Sequence, residues 1–135
     1  MQVTRGITGI KFMPARVSIR DGIIFVTFTG VVSEADLDKV AVDVLKIESA
    51  GPVVPHRITD LTAISGMAID FSSILSLAQR RMDTVIGNPI KSAIVASKPE
   101  HIGFARMFQT VNRHKQITIR IFPDTDAALA WLAEA

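Results

Sequence analysis

Three histidines, His56, His101 and His114, and a scatter of serines and carboxylates are the residues from which a catalytic site would have to be built. A serine nucleophile needs an imidazole base and an acid that orients it, and in α/β proteins it typically sits in a GxSxG turn. Ser65-Gly66 and Ser72-Ser73 lack that setting, and spacing alone assembles no serine–histidine–acid set. A metal site needs three or four converging ligands. The histidines are far apart, and only Glu100-His101 puts a carboxylate beside one of them. Neither GxxxxGKS/T nor GxGxxG occurs, and Gly51, Gly66 and Gly87 read as isolated loop punctuation. With no cysteine there is no thiolate, disulfide or zinc knuckle. Asp60 and Asp70 are the loop carboxylates expected near the strand ends, and Asp60 is better suited to holding its own loop. The expectation is no catalytic residue, no metal and no cofactor, hence no enzyme.

The cations carry more information. Arg80 and Arg81 fall on one expected helix, and Arg106, Arg113, His114 and Lys115 on or just after the next. Arg106 and Arg113 are seven apart and share a helical face, opposite Phe104, Phe108 and Val111. Two such helices side by side would present a cationic surface to an anionic partner, unless the charges merely complement helix C-termini. Two expected loops are unusually apolar: Gly51 to Pro55 (GPVVP) and Ile64 to Phe71 (ISGMAIDF). They either fold over the core or line a cavity or docking surface. Met67, Met82 and Met107 would give soft, adaptable walls.

These residues have to be placed by a chain of 135 residues with 48% hydrophobic and 21% charged residues, the composition of a globular domain rather than a disordered one. Fifteen Lys and Arg against thirteen Asp and Glu leave a net charge of +2, too little to announce a nucleic-acid binder. No apolar run approaches a membrane span, and Met1 to Phe12 does not read as a signal peptide, so the expected location is cytoplasmic. Residues 1–14 are expected to be a loose extension or an edge strand, and residues 15–135 a single domain.

Ala15–Arg20 and Ile23–Gly30 read as strands around Asp21-Gly22, a two-residue hairpin turn. Ser33 caps a helix with Leu37, Val40, Ala41, Val44 and Ile47 at helical spacing. A short strand is expected over His56–Leu61, then a loop (TAISGMAID), then a helix from about Ser72 to Ile86 with Ile74, Leu77, Ala78, Met82 and Val85 inward. Ile90–Ser97 reads as a buried parallel strand, Pro99 as the first position of a helix, Ile117–Phe122 as the last strand and Asp124 as the cap of a final helix. The expected fold is α/β: an N-terminal hairpin, then parallel strands joined by right-handed crossovers, with about four helices.

Three stretches carry a family resemblance: DLTAISGMAIDFSSILSLAQRR (Asp60–Arg81), IKSAIVASKPEHIGFARMFQTVNR (Ile90–Arg113) and ITIRIFPDTDAALAWLA (Ile117–Ala133). Over about Ala15 to Ala133 the chain resembles the SpoIIAA-like branch of the STAS fold, a branch related to the CRAL-TRIO lipid-binding domain. The resemblance implies a non-enzymatic module that binds lipophilic ligands between helices that open and close. Anti-sigma-factor antagonists of this type carry a phosphorylatable serine in a D-S-S-G segment. The matching stretch is Asp70-Phe71-Ser72-Ser73, where Phe71 falls at the phosphoacceptor and Ser73 replaces the glycine. The departure implies an apolar site in place of a charge switch.

The leading expectation is therefore a module that binds a lipophilic or amphiphilic ligand, a small molecule or lipid, with peripheral contact to a membrane surface. Its expected walls are Ile69, Phe71, Leu75, Met82, Phe104, Met107 and Phe108, between the sheet and the second and third helices. Arg80, Arg81 and Arg106 are expected to face an anionic headgroup. The alternative is a STAS-like interaction or regulatory module, acting as a homodimer or on a regulatory protein partner, without the usual phosphoserine. Nucleic acid is not an expected partner.

Overall fold

The computed structural model describes residues 14–134, so the expectation for the N-terminal extension lies almost entirely outside the described residues. Strands β1 (Ala15–Arg20) and β2 (Ile23–Ser33) form the hairpin. Asp21 and Gly22 both take positive φ, 52° and 74°, which lets a two-residue turn follow the right-handed twist of the strands. Helix α1 (Glu34–Glu48) starts at a capping box: Ser33 Oγ accepts the Asp36 N–H, and the Asp36 carboxylate accepts the Ser33 N–H at 2.8 Å.

Strand β3 (Arg57–Ala68), helix α2 (Phe71–Met82), strand β4 (Ile90–Val95), helix α3 (Pro99–Val111), strand β5 (Ile117–Phe122) and helix α4 (Thr125–Leu132) complete the chain. The sheet order is β1-β2-β3-β4-β5, antiparallel at the first pair and parallel thereafter. Right-handed crossovers between successive neighbours put α1, α2 and α3 on one face of the sheet. There Ile24, Val26, Phe28, Leu37, Val44, Ile94 and Ala105 are buried together. Helix α4 covers the opposite face, where Ala128, Trp131 and Leu132 bury Ile58, Ala93 and Val95, and the Trp131 and Phe122 rings lie 5.5 Å apart.

Two stretches differ from their sequence reading. Thr62 to Ala68, expected as a loop, continues β3 and pairs with the far half of β2 from Thr29 to Ser33. The ladder gives this apolar backbone its hydrogen-bond partners, and register shifts near Gly30, which sits at φ 68°, let the two strands bend together. Helix α2 ends at Met82 instead of Ile86. Asp83 caps it, Thr84 Oγ1 donates to the Arg80 carbonyl, and His114 Nε2 reaches the Thr84 carbonyl at 2.7 Å. Leaving the helical path buries Ile86 but turns Val85 outward, 95% exposed, and leaves Met82 exposed as well.

A side chain also joins the strand entries: His56 Nδ1 accepts the Lys91 backbone N–H at 2.9 Å. Burial and the Lys91 charge push the His56 pKa down, so the neutral, accepting ring is the folded form. A depressed histidine contributes stability above its unfolded pKa and loses it as pH falls. Denaturation midpoints of the wild-type chain should fall below about pH 6.5 more steeply than those of His56→Asn, which keeps an acceptor but does not titrate. Parallel pH curves for the two would refute this role.

Candidate functional site

The inward faces of β2, β3 and β4 alternate with those facing α4, so Arg57, Thr59 and Leu61 point to the three-helix side while Ile58 points away. With Val26, Phe28, Ser92 and Ile94 they form the floor of a cavity of about 80 Å³. Its roof is Leu37, Val40 and Val44 of α1, Leu77 and Arg81 of α2, and Phe104 and Phe108 of α3. The walls are thus apolar apart from two arginines and two hydroxyl-bearing residues.

The arginines share one carboxylate. Glu48, at the last turn of α1 and buried, receives Arg81 in a two-pronged pair, Nη1 to Oε1 at 2.7 Å and Nη2 to Oε2 at 2.9 Å. Arg57 is only 8% exposed, and its Nε finds no hydrogen-bond partner. Among the described residues no carboxylate lies within ion-pair distance of it. Burial above all, and then the Arg81 charge, pull its pKa down to about 10, against the opposing pull of Glu48. Arg57 therefore remains a cation at neutral pH, and the cavity carries two positive charges against one negative.

A second feature lies outside. Helix α2 begins at Asp70, whose Oδ1 accepts the Ser73 N–H at 3.1 Å and the Ser72 hydroxyl at 2.6 Å. These bonds, the Ser72 hydroxyl first, hold the Asp70 carboxyl below its ordinary pKa. Ser73 Oγ donates to Glu34 at 2.7 Å and ties α2 to the start of α1. From this corner Phe71, Leu75 and Met82 run along one side of α2 at spacings of four and seven, 49%, 44% and 49% exposed.

The structure divides the residues singled out in the sequence. Phe104 and Phe108 enter the cavity; Ile69 packs on the core; Phe71, Leu75, Met82 and Met107 face outward. The cations do not converge either. Arg80 pairs with Asp38 at the surface, Arg81 with Glu48 inside, and Arg106 lies beside β5 with Arg120 and Ile121. The residues that sequence reasoning missed are Arg57 and Glu48. Their signal was phase: Arg57 alternates into the same face as Leu61, and Glu48 follows Leu37, Ala41 and Val44 on the inward stripe of α1.

The histidines serve as connectors or core. His114 accepts the Gln116 N–H at Nδ1 and so donates from Nε2 to Thr84, while His101 is buried in α3. Asp60 accepts the Thr62 hydroxyl and N–H. Among the described residues no group of three or more histidine or acidic side chains is placed to hold a metal, and no helix is long and apolar enough to cross a membrane.

Removing the shared carboxylate leaves two buried cations unopposed. Glu48→Gln is expected to lower the unfolding free energy by roughly 3–5 kcal/mol in chemical denaturation. Adding Arg57→Met to it should recover part of that loss, because one of the two cations is gone. A double variant no more stable than Glu48→Gln would show that Arg57 and Glu48 are not coupled.

No protein-family model matches the sequence, and no curated protein matches it. Solved structures do match in shape. An uncharacterized protein of the DUF3478 family with a SpoIIAA-like fold, from Shewanella loihica PV-4, superposes with a TM-score of 0.59 at 13% identity, over 88% of this chain and 92% of that one. The anti-sigma factor antagonist SpoIIAA in its unphosphorylated form gives 0.56 at 12% identity, over 86% and 94%. An anti-sigma factor antagonist from Mycobacterium paratuberculosis gives 0.50 at 13% identity, over 89% and 93%. With its antiparallel first pair, parallel remainder and four helices, the chain has the SpoIIAA-like fold.

Proposed function

We propose that this chain is a non-enzymatic recognition module of the regulatory kind, which docks a protein partner on the outer side of α2. The observation that carries the reading is the exposed row of Phe71, Leu75 and Met82 starting at the β3–α2 corner. Large apolar side chains set in a row on a helix offer a partner area to bury without the cost of stripping water from charges. The fold adds an analogy: two of its structural neighbours are named as anti-sigma factor antagonists.

The corner itself argues for constitutive docking. Ser72 is an exposed hydroxyl already donating to Asp70, and a phosphate there would place up to two negative charges beside that carboxylate. Phe71 brings no hydroxyl at all. The positions of the histidines support the non-enzymatic part, since two of the rings are held by backbone groups and the third is buried.

A second reading, the binding of a small lipophilic or amphiphilic ligand, is favoured by the cavity under α1, α2 and α3. At about 80 Å³ it takes a small ligand as it stands, and a long-chain lipid only if the helices part. Peripheral membrane binding draws less support, because Arg80 and Arg81 are each matched to a carboxylate.

Affinity capture with the wild-type chain, followed by identification and purification of the retained protein, tests the first reading. That partner is expected to bind Phe71→Asp/Leu75→Asp at least tenfold more weakly, a loss of about 1.4 kcal/mol or more. The double variant should melt at an unchanged temperature, since both side chains are already half in water. If the retained protein is a second copy of this chain, sedimentation equilibrium reads the same change. Unchanged affinity would remove the α2 face from the proposal.

A further inference from the structure

The cavity is chemically lopsided. Its walls are almost wholly hydrocarbon, yet Arg57 and Arg81 both line it, and Glu48 balances only one of them. The Nε–H groups of both arginines are buried and without a partner. Buried N–H donors normally find an acceptor, and a buried charge is normally paired. A water molecule would supply the acceptor but not the charge. Glu48 is already engaged through both oxygens by Arg81. The missing complement to this site is therefore an anion.

Wall chemistry narrows the class. A small, strongly hydrated inorganic anion would gain nothing from Val26, Phe28, Phe104 and Phe108 and would lose its water to them. A planar carboxylate matches a guanidinium fork, and a hydrocarbon tail matches the walls. Volume narrows it again: about 80 Å³ holds roughly five to eight water-sized groups at 10–15 Å³ each. That suits a chain of a few carbons.

We propose that the cavity is a binding site for a short-chain monocarboxylate, with the carboxylate against Arg57 and Arg81 and the alkyl tail against Phe104 and Phe108. The proposal rests on the small-ligand reading of the cavity and names its chemistry.

Titration calorimetry on the full chain, with hexanoate, hexan-1-ol and sodium phosphate as probes, tests it. Wild type should bind hexanoate at least tenfold more tightly than hexan-1-ol or phosphate, and hexanoate should raise the melting temperature. Arg57→Met should lose at least tenfold in hexanoate affinity while keeping its hexan-1-ol affinity. If Arg57→Met does not fold, Arg57→Lys provides the same test, since it keeps the charge and loses the fork; it should weaken hexanoate binding several-fold. Equal binding of acid and alcohol, or hexanoate binding indifferent to both Arg57 variants, overturns the anion site and leaves an apolar cavity. Phosphate matching hexanoate overturns the role of the tail. Binding of none of the probes overturns the small-ligand reading as well.

Discussion

The ion pair between Glu48 and Arg81 holds the helical layer in place. It connects the last turn of α1 to the last turn of α2, and its Arg81 lines the same cavity as Arg57 at the start of β3. Two hydrogen bonds at 2.7 and 2.9 Å in a nearly dry setting fix the relative rotation of the two helices. They also place a negative charge where Arg57 would otherwise have none nearby. Buried ion pairs often add little net stability against an apolar replacement, because desolvation offsets the attraction. What this one supplies is a particular arrangement: a cavity that stays open at the sheet surface with cationic side chains in its wall.

The other determinant is the length of the β2–β3 ladder. By running on to Ser33 and Ala68 it carries the start of α2 beyond the hairpin and aligns it with the start of α1, where Ser73 and Glu34 meet. Phe71 is delivered to that corner with its ring half in solvent. A loop of the same sequence would have been free to fold Phe71 and Ile69 together over the core. The ladder separates them, so that Ile69 packs inward and Phe71 faces out.

The chain thus keeps two apolar features apart. One is an outer row on α2 that suits a macromolecule. The other is an inner cavity that suits something small and anionic. Both involve α2, since Leu77 and Arg81 look into the cavity from the same helix that shows Phe71, Leu75 and Met82 to solvent. The SpoIIAA-like fold accommodates both without dictating either, because a fold fixes where elements lie and not what their side chains recognise.

Local chemistry was enough to determine the hairpin, the capped starts of α1 and α4, proline at the head of α3 and the order of strands and helices. Each rests on residues adjacent in the chain: Asp21-Gly22, Ser33 with Asp36, Asp124, Pro99. The continuation of β3 through Ser65 and Gly66 was not legible, because a strand is stabilised by its neighbour across the ladder and β2 lies some thirty-five residues away. The end of α2 was likewise set from a distance, by His114 on the far side of α3. The composition of the cavity needed all three helices. Strand and helix phase put Arg57 and Glu48 on inward faces, but nothing near either in the sequence marks Glu48 as the counter-charge. Only packing brings the two and Arg81 together, because electrostatic pairing depends on distance in space, and the chain separates Glu48 and Arg81 by thirty-three positions.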